Sequence, residues 1–539
     1  MALDFTHSRL PPFQHQREDV QSLIDYPFFF ITSEMRTGKT KIVIDAIQFL
    51  YPKINKVIVV TPAPVRDVWY DPEFGELQKH LWLNIPATVI EYHTYLNTWR
   101  NACEGPRNDR LQWIITNYEF IRSKNRLIQL LPFCGQRTAL ILDESSFVRN
   151  YDTEQTRSCV RLRRACSRVV LLNGTPIFHS PLDLFSQGNI LHPKILDCPY
   201  ITHYRSRYAV TKAVLGLDGK PITDPRGHKI ETIEGWLPEG LTDLQRRFAP
   251  YTVRRLQADC LDLPPKLDPV TLTATLTKET WKDYKSMRDD LVIWLKSDVA
   301  TAASAAIKVM RLAQITSGFV GGVEKARIAT TIPDSLFESL DIPPATGPSP
   351  EEPVETKTED GIHFIGREKL DVVIWFLTQQ LIANPLLKVV IWCKHRPEMF
   401  RMVKELKALF PRVIVSSIYG KQKERDRIDA LRLLHPDTTS KSPIFMVGTF
   451  GTGSFGLNFS AASVCINCSA DYSLGKHLQA NDRIYGPGML APAAYFDVLA
   501  VGPSGQRTID HVIEAARRNA ENIASYTINQ WVKKLTEGG

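Results

Sequence analysis

A loop near the start of the chain has the residue types of a phosphate-binding site. The stretch FFFITSEMRTGKTKIVID, residues 28–45, runs from apolar residues through Gly-Lys-Thr into a segment with the apolar spacing of a helix. Backbone N–H groups at such a helix start face phosphates, the Lys39 ammonium reaches their terminal oxygens, and the Thr40 hydroxyl can hold Mg²⁺. Ser33 stands where the usual pattern has its first glycine, so the loop alone also fits a chance match. The residues expected to line the phosphates are Met35, Arg36, Thr37, Gly38, Lys39 and Thr40.

An acidic pair ends a second apolar run, in RTALILDESSFVRN. Asp143 has the carboxylate that an Mg²⁺ shell needs, and Glu144 can act as general base on an attacking water. A solvated acidic turn is the alternative, because such turns are common after strands. A parallel strand beside that of the phosphate loop would place the pair next to the phosphates. Together the two stretches predict Mg²⁺-assisted attack of water on a bound phosphate group, with Lys39, Asp143 and Glu144 as catalytic residues.

Two series of short, β-rich apolar runs must position these residues. The runs alternate with helical patterns, and alternating strands and helices predict parallel sheets covered on both faces. We therefore predict an α/β fold with two units. The first series comprises residues 28–30, 57–60, 114–115, 139–142 and 169–172, and the second comprises residues 389–392, 413–415, 444–447, 464–466 and 496–499.

The stretch between the two series has a different composition. Trp281 and Tyr284 begin an aromatic stripe at helical spacing, which we expect to pack in a core. Residues 341–361 are rich in proline and acidic side chains and almost lack large apolar ones, so we predict a flexible linker there.

The composition is that of an ordinary globular protein of two or three domains, with 539 residues, 43% hydrophobic and 23% charged. We find no apolar run of membrane-spanning length, and the beginning MALDFTHSRLPPF lacks a secretory pattern. We therefore expect a soluble cytoplasmic protein with no membrane partner. The net charge of +8 fits a polyanionic partner.

The nine cysteines are scattered and odd in number, which favours a reducing compartment over a disulfide framework. Cys465 and Cys468 form a C-x-x-C within the apolar run SVCINCSA, without a second pair at zinc spacing. We expect these two side chains to be buried thiols rather than metal ligands.

Further stretches follow one another in the order and spacing of known motifs. They are LPPFQHQREDV, VIVVTPAPVRDVW, IITNYEF, LDESS, LLNGTPIFHSPLDLF, YTVRRLQADCLDLPPK, VVIWCKH, GTGSFGLNFSAAS, LQANDRIYGPG and RTIDHVI. In this order they resemble motifs Q, Ia, Ic, II and III, the lobe-to-lobe element, motifs IV, V and VI, and the closing helix of the SNF2 family of helicase superfamily 2. The resemblance covers nearly the whole chain, and its specificity lies in the ordered set.

The resemblance implies two RecA-like lobes, which we place at residues 1–264 and 265–539. Such lobes clamp ATP between them and step along duplex DNA. Helical protrusions typical of the family would be built from about 190–250 and about 276–330.

The resemblance also assigns roles to particular residues. Gln16 would read the adenine, with Gln14 as the alternative. Gly174, Thr175 and Pro176 would couple phosphates to DNA, and Arg254 and Arg255 would lie at the lobe junction. The expected DNA-phosphate contacts are Thr61, Pro62, Thr116, Asn117, Tyr118, Gly453, Ser454 and Asn458.

Motif VI departs from the family pattern. Gln479 and Arg483 match it and would contact ATP together with Gly453, but the position of the second arginine is Gly486. We prefer the reading in which Arg483 alone stabilises the γ-phosphate. Two alternatives stay open: a basic group from elsewhere, such as Lys476 or a neighbouring subunit, completes the site, or hydrolysis is slow.

We therefore expect an ATP- and Mg²⁺-dependent motor on double-stranded DNA, working as a monomer with little sequence specificity. The compact chain suggests a phage or bacterial setting, with remodelling of DNA structures or DNA-bound proteins in repair, recombination or replication. A strand-separating helicase and an ATP-gated DNA clamp that needs a partner are the alternatives.

Overall fold

The computed structural model describes residues 3–71, 75–92, 109–174, 181–213, 221, 231–295, 302–321, 361–420, 422–435, 440–453, 458–471, 474–489 and 491–518. The chain divides into two units, one ending at Asp262 and the other beginning at Leu263. The largest sheet of each unit is parallel.

The first unit contains a seven-stranded parallel sheet in the order β3-β4-β2-β5-β6-β1-β9. Its central strands are almost wholly apolar, as strands covered on both faces must be. Val57 and Leu140, for example, are fully buried. The strands are β1 (Phe28–Ile31), β2 (Lys56–Thr61), β3 (Ala87–Glu91), β4 (Leu111–Asn117), β5 (Thr138–Leu142), β6 (Arg168–Leu172) and β9 (Thr252–Val253).

Helices connect these strands. They are α1 (Gln14–Asp25), α2 (Lys39–Leu50), α3 (Arg66–Tyr70), α4 (Glu76–His80), α5 (Lys124–Leu130), α6 (Glu154–Ala165), α7 (Asp183–Leu191), α8 (Pro193–Leu196), α9 (Ile201–Tyr208), α10 (Pro238–Phe248) and α11 (Gln257–Cys260). The segment 190–250, predicted as a helical protrusion, contains α8, α9 and α10. It also contains the antiparallel strands β7 (Ala209–Ala213) and β8 (Glu231–Trp236), which the helical patterns do not indicate.

The second unit contains a six-stranded parallel sheet in the order β10-β17-β16-β13-β15-β14. These strands are β10 (Val270–Thr275), β13 (Lys388–Cys393), β14 (Ile414–Ile418), β15 (Ile444–Thr449), β16 (Val464–Asn467) and β17 (Ala494–Val501). A separate antiparallel pair joins β11 (Phe319–Val320) to β12 (His363–Phe364). The helices are α12 (Lys278–Leu295), α13 (Ala302–Thr316), α14 (Glu368–Ala383), α15 (Arg396–Leu409), α16 (Glu424–Leu433), α17 (Phe450–Gly453), α18 (Leu474–Asn481) and α19 (509–518).

The aromatic stripe on α12 packs in a core, as expected. The rings of Trp281 and Tyr284 stack with 5.2 Å between their centroids, and both side chains are buried. They share an apolar cluster with Ile509 and Ile513 of α19. Apart from Gly361, the predicted linker 341–361 lies outside the described residues.

The predicted α/β fold with two parallel sheets is confirmed, and each predicted apolar run overlaps a strand. The strands that the pattern missed in these sheets, β3, β9 and β10, all lie at sheet edges. An edge strand is less buried, so its sequence needs fewer apolar residues. Across the described ranges, no helix is both long and apolar enough to cross a membrane.

Candidate functional site

The phosphate loop runs from β1 to the first residue of α2, as predicted. Gly38 precedes that helix with a φ of +86°, and a Cβ at this position would collide with the amide nitrogen of Gln16. The left-handed conformation therefore favours glycine, and a larger residue would also have to displace the Gln16 amide. The Lys39 ammonium donates hydrogen bonds to the carbonyl oxygens of Ser33 and Glu34, each at 2.9 Å, so the loop folds around the lysine.

The structure distinguishes the two candidate adenine-reading glutamines. Gln16 is buried, its Nε2 donates to the Thr37 carbonyl at 3.2 Å, and its Oε1 accepts from the Phe13 N–H at 3.0 Å. Gln14 is exposed and contacts Glu18 on the same helix. Of the two, Gln16 is the one that contacts the phosphate loop.

Asp143 is held by three hydrogen bonds at the end of β5. Its Oδ2 accepts from Trp69 Nε1 at 2.8 Å and from Thr61 Oγ1 at 3.3 Å, and its Oδ1 accepts from the Glu144 N–H at 3.0 Å. Burial raises the pKa of Asp143, while the Trp69 hydrogen bond and the positive charge of Lys39 oppose that rise. The carboxylate is thus oriented and lies within electrostatic reach of the loop lysine.

Trp69 is a site residue that the motif comparison missed. It lies on α3, at the end of the stretch VIVVTPAPVRDVW, and its side chain is fully buried. A buried indole N–H needs a hydrogen-bond acceptor, so a tryptophan expected to be buried in this stretch already indicates a polar partner. Sequence could not say that the acceptor is Asp143, because the two residues lie 74 positions apart.

Two residues of the site have a left-handed backbone conformation, which residues other than glycine rarely adopt. Arg36 has a φ of +62° and Glu144 a φ of +50°. Among the described residues one further non-glycine residue, Asp197, has a positive φ. Such strain persists where surrounding contacts enforce it, and it concentrates at functional sites.

The acidic pair reaches this site by a different strand order from the one predicted. We expected the strand of Asp143 beside that of the loop, but β6 lies between β5 and β1. Gly174 follows β6, and a Cβ on it would lie 3.4 Å from Met35 Cγ and 3.8 Å from Lys39 Nζ. The motif III glycine is thus packed against the loop. Thr175 and Pro176 lie outside the described residues.

The predicted DNA contacts of the first unit are buried, and short helical turns follow the ends of β2 and β4 on which they lie. The Tyr118 hydroxyl donates to the Asp143 carbonyl at 2.8 Å, and the Thr61 hydroxyl donates to the Asp143 carboxylate. Asn117 Oδ1 accepts from the Phe120 N–H at 2.7 Å. The hydroxyls of Tyr118 and Thr61 support the acidic residue in this structure, and their contact with DNA phosphates stays a prediction. The remaining two predicted contacts, Pro62 and Thr116, are buried as well.

Arg254 and Arg255 connect β9 to the neighbourhood of the loop. Arg255 Nη2 lies 2.8 Å from Asp19 Oδ1 and 2.8 Å from Glu18 Oε2. Arg254 Nη1 donates to the Thr32 carbonyl at 3.0 Å. These contacts all lie within the first unit.

Gln257 is a second residue that the motifs missed. Its Nε2 donates to the Met35 carbonyl at 2.6 Å, and its backbone N–H donates to Glu34 Oε2 at 2.8 Å. It therefore holds the phosphate loop, and it belongs to the same stretch, YTVRRLQADCLDLPPK, as the arginine pair.

Motifs IV, V and VI meet within the second unit. Arg483 is 3% exposed, and its Nε donates to the Gly453 carbonyl at 2.7 Å. Trp392 of β13 donates from Nε1 to the Ala480 carbonyl at 3.2 Å. A Cβ on Gly453 would come within 2.6 Å of the Trp392 ring. The candidate arginine finger is thus part of a packed core in this structure.

The remaining predicted residues of the second unit lie nearby in the chain. Gln479 and Lys476 belong to α18, and Asn458 Oδ1 accepts from the Ser460 N–H at 3.2 Å. Gly486 is buried, so the position of the missing arginine is enclosed by protein. Ser454 lies outside the described residues.

Comparisons with known proteins agree with the resemblance that the motifs indicate. A model of the SNF2-related domain matches residues 29–319. TATA-binding protein-associated factor MOT1 of Saccharomyces cerevisiae is 24% identical over 439 residues, 77% of this chain and 22% of that protein. SWI/SNF-related matrix-associated actin-dependent regulator of chromatin subfamily A-like protein 1 of Drosophila melanogaster is 28% identical over 268 residues, 46% of this chain and 30% of that protein.

A solved structure of the Sulfolobus solfataricus SWI2/SNF2 ATPase core in complex with dsDNA aligns with 93% of this chain and 90% of its own, at 16% identity and a TM-score of 0.40. The matches to the two curated relatives span less than a third of those proteins' length. The family match extends over more than half of the chain. The chain therefore belongs to the SNF2 family of superfamily 2 ATPases.

Proposed function

We propose that the chain hydrolyses ATP with Mg²⁺ and uses the hydrolysis to translocate along double-stranded DNA. One observation carries the proposal of hydrolysis. Lys39, Asp143 and Gly174 lie close together where the strands of the first sheet have their carboxyl ends. The Lys39 charge acts on the pKa of the Asp143 carboxyl, and the Gly174 backbone packs against the lysine. A cation and an oriented carboxylate at the carboxyl ends of parallel strands suit a triphosphate with its metal ion.

The residues present fit ATP and Mg²⁺. Asp143 and Thr40 offer oxygen ligands of the kind that Mg²⁺ prefers, and the start of α2 offers backbone N–H groups to phosphates. When bound, Mg²⁺ neutralises charge on the transferred phosphoryl group. Glu144 accepts a proton from the attacking water, and the Lys39 ammonium stabilises charge that develops on the terminal phosphate.

Membership of the SNF2 family supports duplex DNA as the partner. The net charge of +8 supports a polyanion, and a motor that tracks phosphates needs little base readout. The names of the yeast and fly relatives refer to the TATA-binding protein and to chromatin, which supports DNA carrying bound protein as the substrate. We propose remodelling of DNA structures or DNA-bound proteins as the task.

Measurement of steady-state ATP hydrolysis tests the proposal that the chain is a DNA-stimulated ATPase. We expect Mg²⁺-dependent turnover that linear duplex DNA stimulates more than single-stranded DNA or RNA does. Lys39→Ala and Glu144→Gln should each remove the stimulated turnover, whereas Lys53→Ala, at an exposed position, should keep it. Stimulation by RNA alone, or full turnover in Lys39→Ala, would contradict the proposal.

Two DNA substrates separate translocation from strand separation. A motor that tracks duplex DNA displaces the third strand of a triplex and leaves a forked duplex annealed. A strand-separating helicase unwinds the fork. Displacement that requires ATP and fails in Glu144→Gln is the expected result, whereas unwinding of the fork would favour the helicase.

An ATP-gated DNA clamp is the second candidate, and the motif VI geometry favours it. Arg483 is buried against Gly453, and Gly486 offers no cation at the position of the second arginine. Loss of an arginine finger can slow hydrolysis by about 10³ to 10⁵. DNA binding that needs ATP, without stimulated turnover or triplex displacement, would identify the clamp and overturn the translocase.

A further inference from the structure

The second unit contains a group of three buried side chains of the metal-ligating kind, to which no motif assigns a role, although Cys393 lies within the stretch VVIWCKH. Cys393 ends β13, Cys468 follows β16, and Glu398 lies in the first turn of α15. Within the described ranges this is the group of three or more His, Cys, Asp and Glu side chains whose ligand atoms all lie close enough to share an ion.

The sheet register brings the two cysteines together. β13 and β16 are parallel neighbours that pair Trp392 with Asn467, so Cys393 and Cys468 are the next positions on each strand. The Cys468 N–H donates to the Trp392 carbonyl at 2.9 Å, which continues the pairing. Cys393 and Cys468 belong to one apolar cluster and Cys465 to another, so the sheet separates the two cysteines of the C-x-x-C.

The distances suit one small ion. The two Sγ atoms and a carboxylate oxygen of Glu398 all lie within 4.8 Å of one another. Zinc–sulfur bonds of about 2.3 Å in a tetrahedral site place two sulfurs about 3.8 Å apart. The three side chains are at most 6% exposed, so water does not satisfy them from bulk solvent.

Glu398 has one oxygen oriented by a hydroxyl donor and one that makes no hydrogen bond of good geometry with the described residues. Its Oε2 accepts from Ser469 Oγ at 2.7 Å, and Ser469 Oγ accepts from the Lys394 N–H at 2.7 Å. Its Oε1 is buried, and of the described hydrogen-bond donors only the Cys468 thiol and the His395 N–H lie near enough to the carboxylate to stabilise it further. A buried carboxylate oxygen with such weak partners is costly, whereas a metal-ligating carboxylate is commonly fixed through its other oxygen.

Charge and space also favour a cation. Lys369 and Asp510 form a buried ion pair at 2.6 Å next to the group. With both thiols deprotonated, two thiolates and two carboxylates outnumber the one ammonium, and a divalent ion offsets most, though not all, of the excess negative charge. A cavity of about 20 Å³ is lined by Glu398, Cys468 and Lys369, though not by Cys393, and it has room for one water on this side of the group.

We propose that Cys393, Cys468 and Glu398 bind one zinc ion, with water in the fourth position. Two sulfur ligands exclude Mg²⁺ and Ca²⁺ and select a thiophilic ion. The ion joins β13, β16 and α15, so it stabilises the second sheet independently of nucleotide. The site amends the expectation from sequence that Cys468 is a plain buried thiol, because its partner comes from a neighbouring strand and not from the C-x-x-C.

Metal content of the full-length chain tests the site. The protein is produced in zinc-supplemented medium, purified without a metal-affinity column or chelator, and measured by inductively coupled plasma mass spectrometry. We expect about one zinc ion per chain in the wild type and in Cys465→Ser, the matched buried control. Cys393→Ser, Cys468→Ser and Glu398→Gln should lose most of the zinc.

A second measurement keeps the test valid if the cysteine variants misfold. Cobalt added to the metal-stripped wild-type chain should give a thiolate-to-cobalt charge-transfer band, and zinc should displace it. Removal of zinc should lower the melting temperature of the wild type and of Cys465→Ser alike. A zinc-free wild type that gives no cobalt band, or zinc content unchanged in Cys468→Ser, would overturn the site.

Discussion

The indole of Trp69 donates a hydrogen bond to the carboxylate of Asp143, with 2.8 Å between Nε1 and Oδ2. The donor comes from the short helix after β2 and the acceptor from the end of β5. The bond fixes the orientation of the carboxylate that we propose as an Mg²⁺ ligand. A residue that orients a ligand without touching substrate changes metal affinity before it changes the chemistry.

Replacing this donor gives the first prediction. Trp69→Phe should raise the Mg²⁺ concentration needed for half-maximal ATP hydrolysis by about 10- to 100-fold, because the carboxylate loses its orienting bond. The measurement is an Mg²⁺ titration of turnover at saturating duplex DNA. Trp113→Phe is the control, since Trp113 is equally buried and its indole nitrogen has no hydrogen-bond partner among the described residues. Equal Mg²⁺ dependence in the two variants would contradict the role of Trp69.

The second prediction concerns the stability cost of Asp143. Burial raises the pKa of this carboxyl, so the folded chain binds its proton more tightly than the unfolded chain does. The loss of stability that the ionised carboxylate causes is absent below the pKa of Asp143 in the unfolded chain. It grows as the pH rises towards the pKa of Asp143 in the folded chain, and it is complete above that value. Asp143→Asn should therefore lose hydrolysis and yet be more stable than wild type at pH 8 without nucleotide, with a smaller gain at pH 5.

Urea unfolding at the two pH values measures this difference. Asp259→Asn, at an exposed position of the same unit, should change stability little at either pH. A variant of Asp143 that is less stable than wild type at pH 8 would show that the hydrogen bonds of the carboxylate outweigh its desolvation.

The third prediction concerns the ion pair of the half-buried Arg255 with the buried Asp19. Arg255→Leu leaves the Asp19 carboxylate without its cation, which should lower the free energy of unfolding by about 1 to 3 kcal/mol. Burial already raises the pKa of Asp19, and loss of Arg255 raises it further. The deficit should therefore shrink as pH falls, because the folded variant takes up the proton.

Chemical denaturation at pH 8 and pH 5 checks this expectation. Adding Asp19→Asn to Arg255→Leu should recover part of the loss at pH 8. Arg367→Leu removes an exposed ion pair with Asp371 and should cost less than about 1 kcal/mol. A deficit in Arg255→Leu that is the same at both pH values would point to lost packing rather than lost charge.

The fourth prediction tests whether Arg483 acts alone. Arg483→Ala removes a buried charged donor from the Gly453 carbonyl, so unfolding should become easier by about 1.5 to 3 kcal/mol. Turnover should fall by about 10³-fold or more if the same guanidinium also stabilises the phosphates. Arg432→Ala, at an exposed position, should change neither quantity much. Loss of stability with full turnover would assign Arg483 a structural role only.

The fifth prediction concerns salt. A protein that neutralises DNA phosphates loses affinity linearly in logarithmic salt, with a slope of about −0.9 per phosphate. We expect duplex affinity, measured by fluorescence anisotropy, to fall by on the order of 10³ between about 50 and 200 mM salt if six or more phosphates are contacted. Two duplexes of unrelated sequence should give the same slope. An affinity independent of salt would contradict phosphate tracking.

Local features of the site could be predicted from the sequence. The position of Gly38, Lys39 and Thr40 at a helix start could be predicted, because apolar runs on either side of them indicate the strand β1 and the helix α2. Asp143 ends a strand because a wholly apolar run precedes it. In each case the deciding signal lies within a few residues of the position.

Long-range features could not be predicted in the same way. That β6 lies between β5 and β1, that Trp69 bonds Asp143, and that Cys393 lies beside Cys468 all depend on strand order and packing. Strand order is set by connections across the whole sheet, which one-dimensional periodicity does not encode. The hydrogen bond from the Tyr118 hydroxyl to the Asp143 carbonyl could not be predicted either, since a tyrosine after a strand gives no sign of which side its ring will occupy.

The Trp392 ring has consequences for how the second unit can change during evolution. A Cβ on Gly448 or on Gly453 would come within 2.7 Å of this ring, and the indole nitrogen also holds the Ala480 carbonyl. A smaller side chain at 392 would free space at both glycines, and a larger residue at either glycine would displace the indole. These three positions should therefore vary together among relatives, and a lineage that alters one of them alone would shift the backbone that carries Arg483.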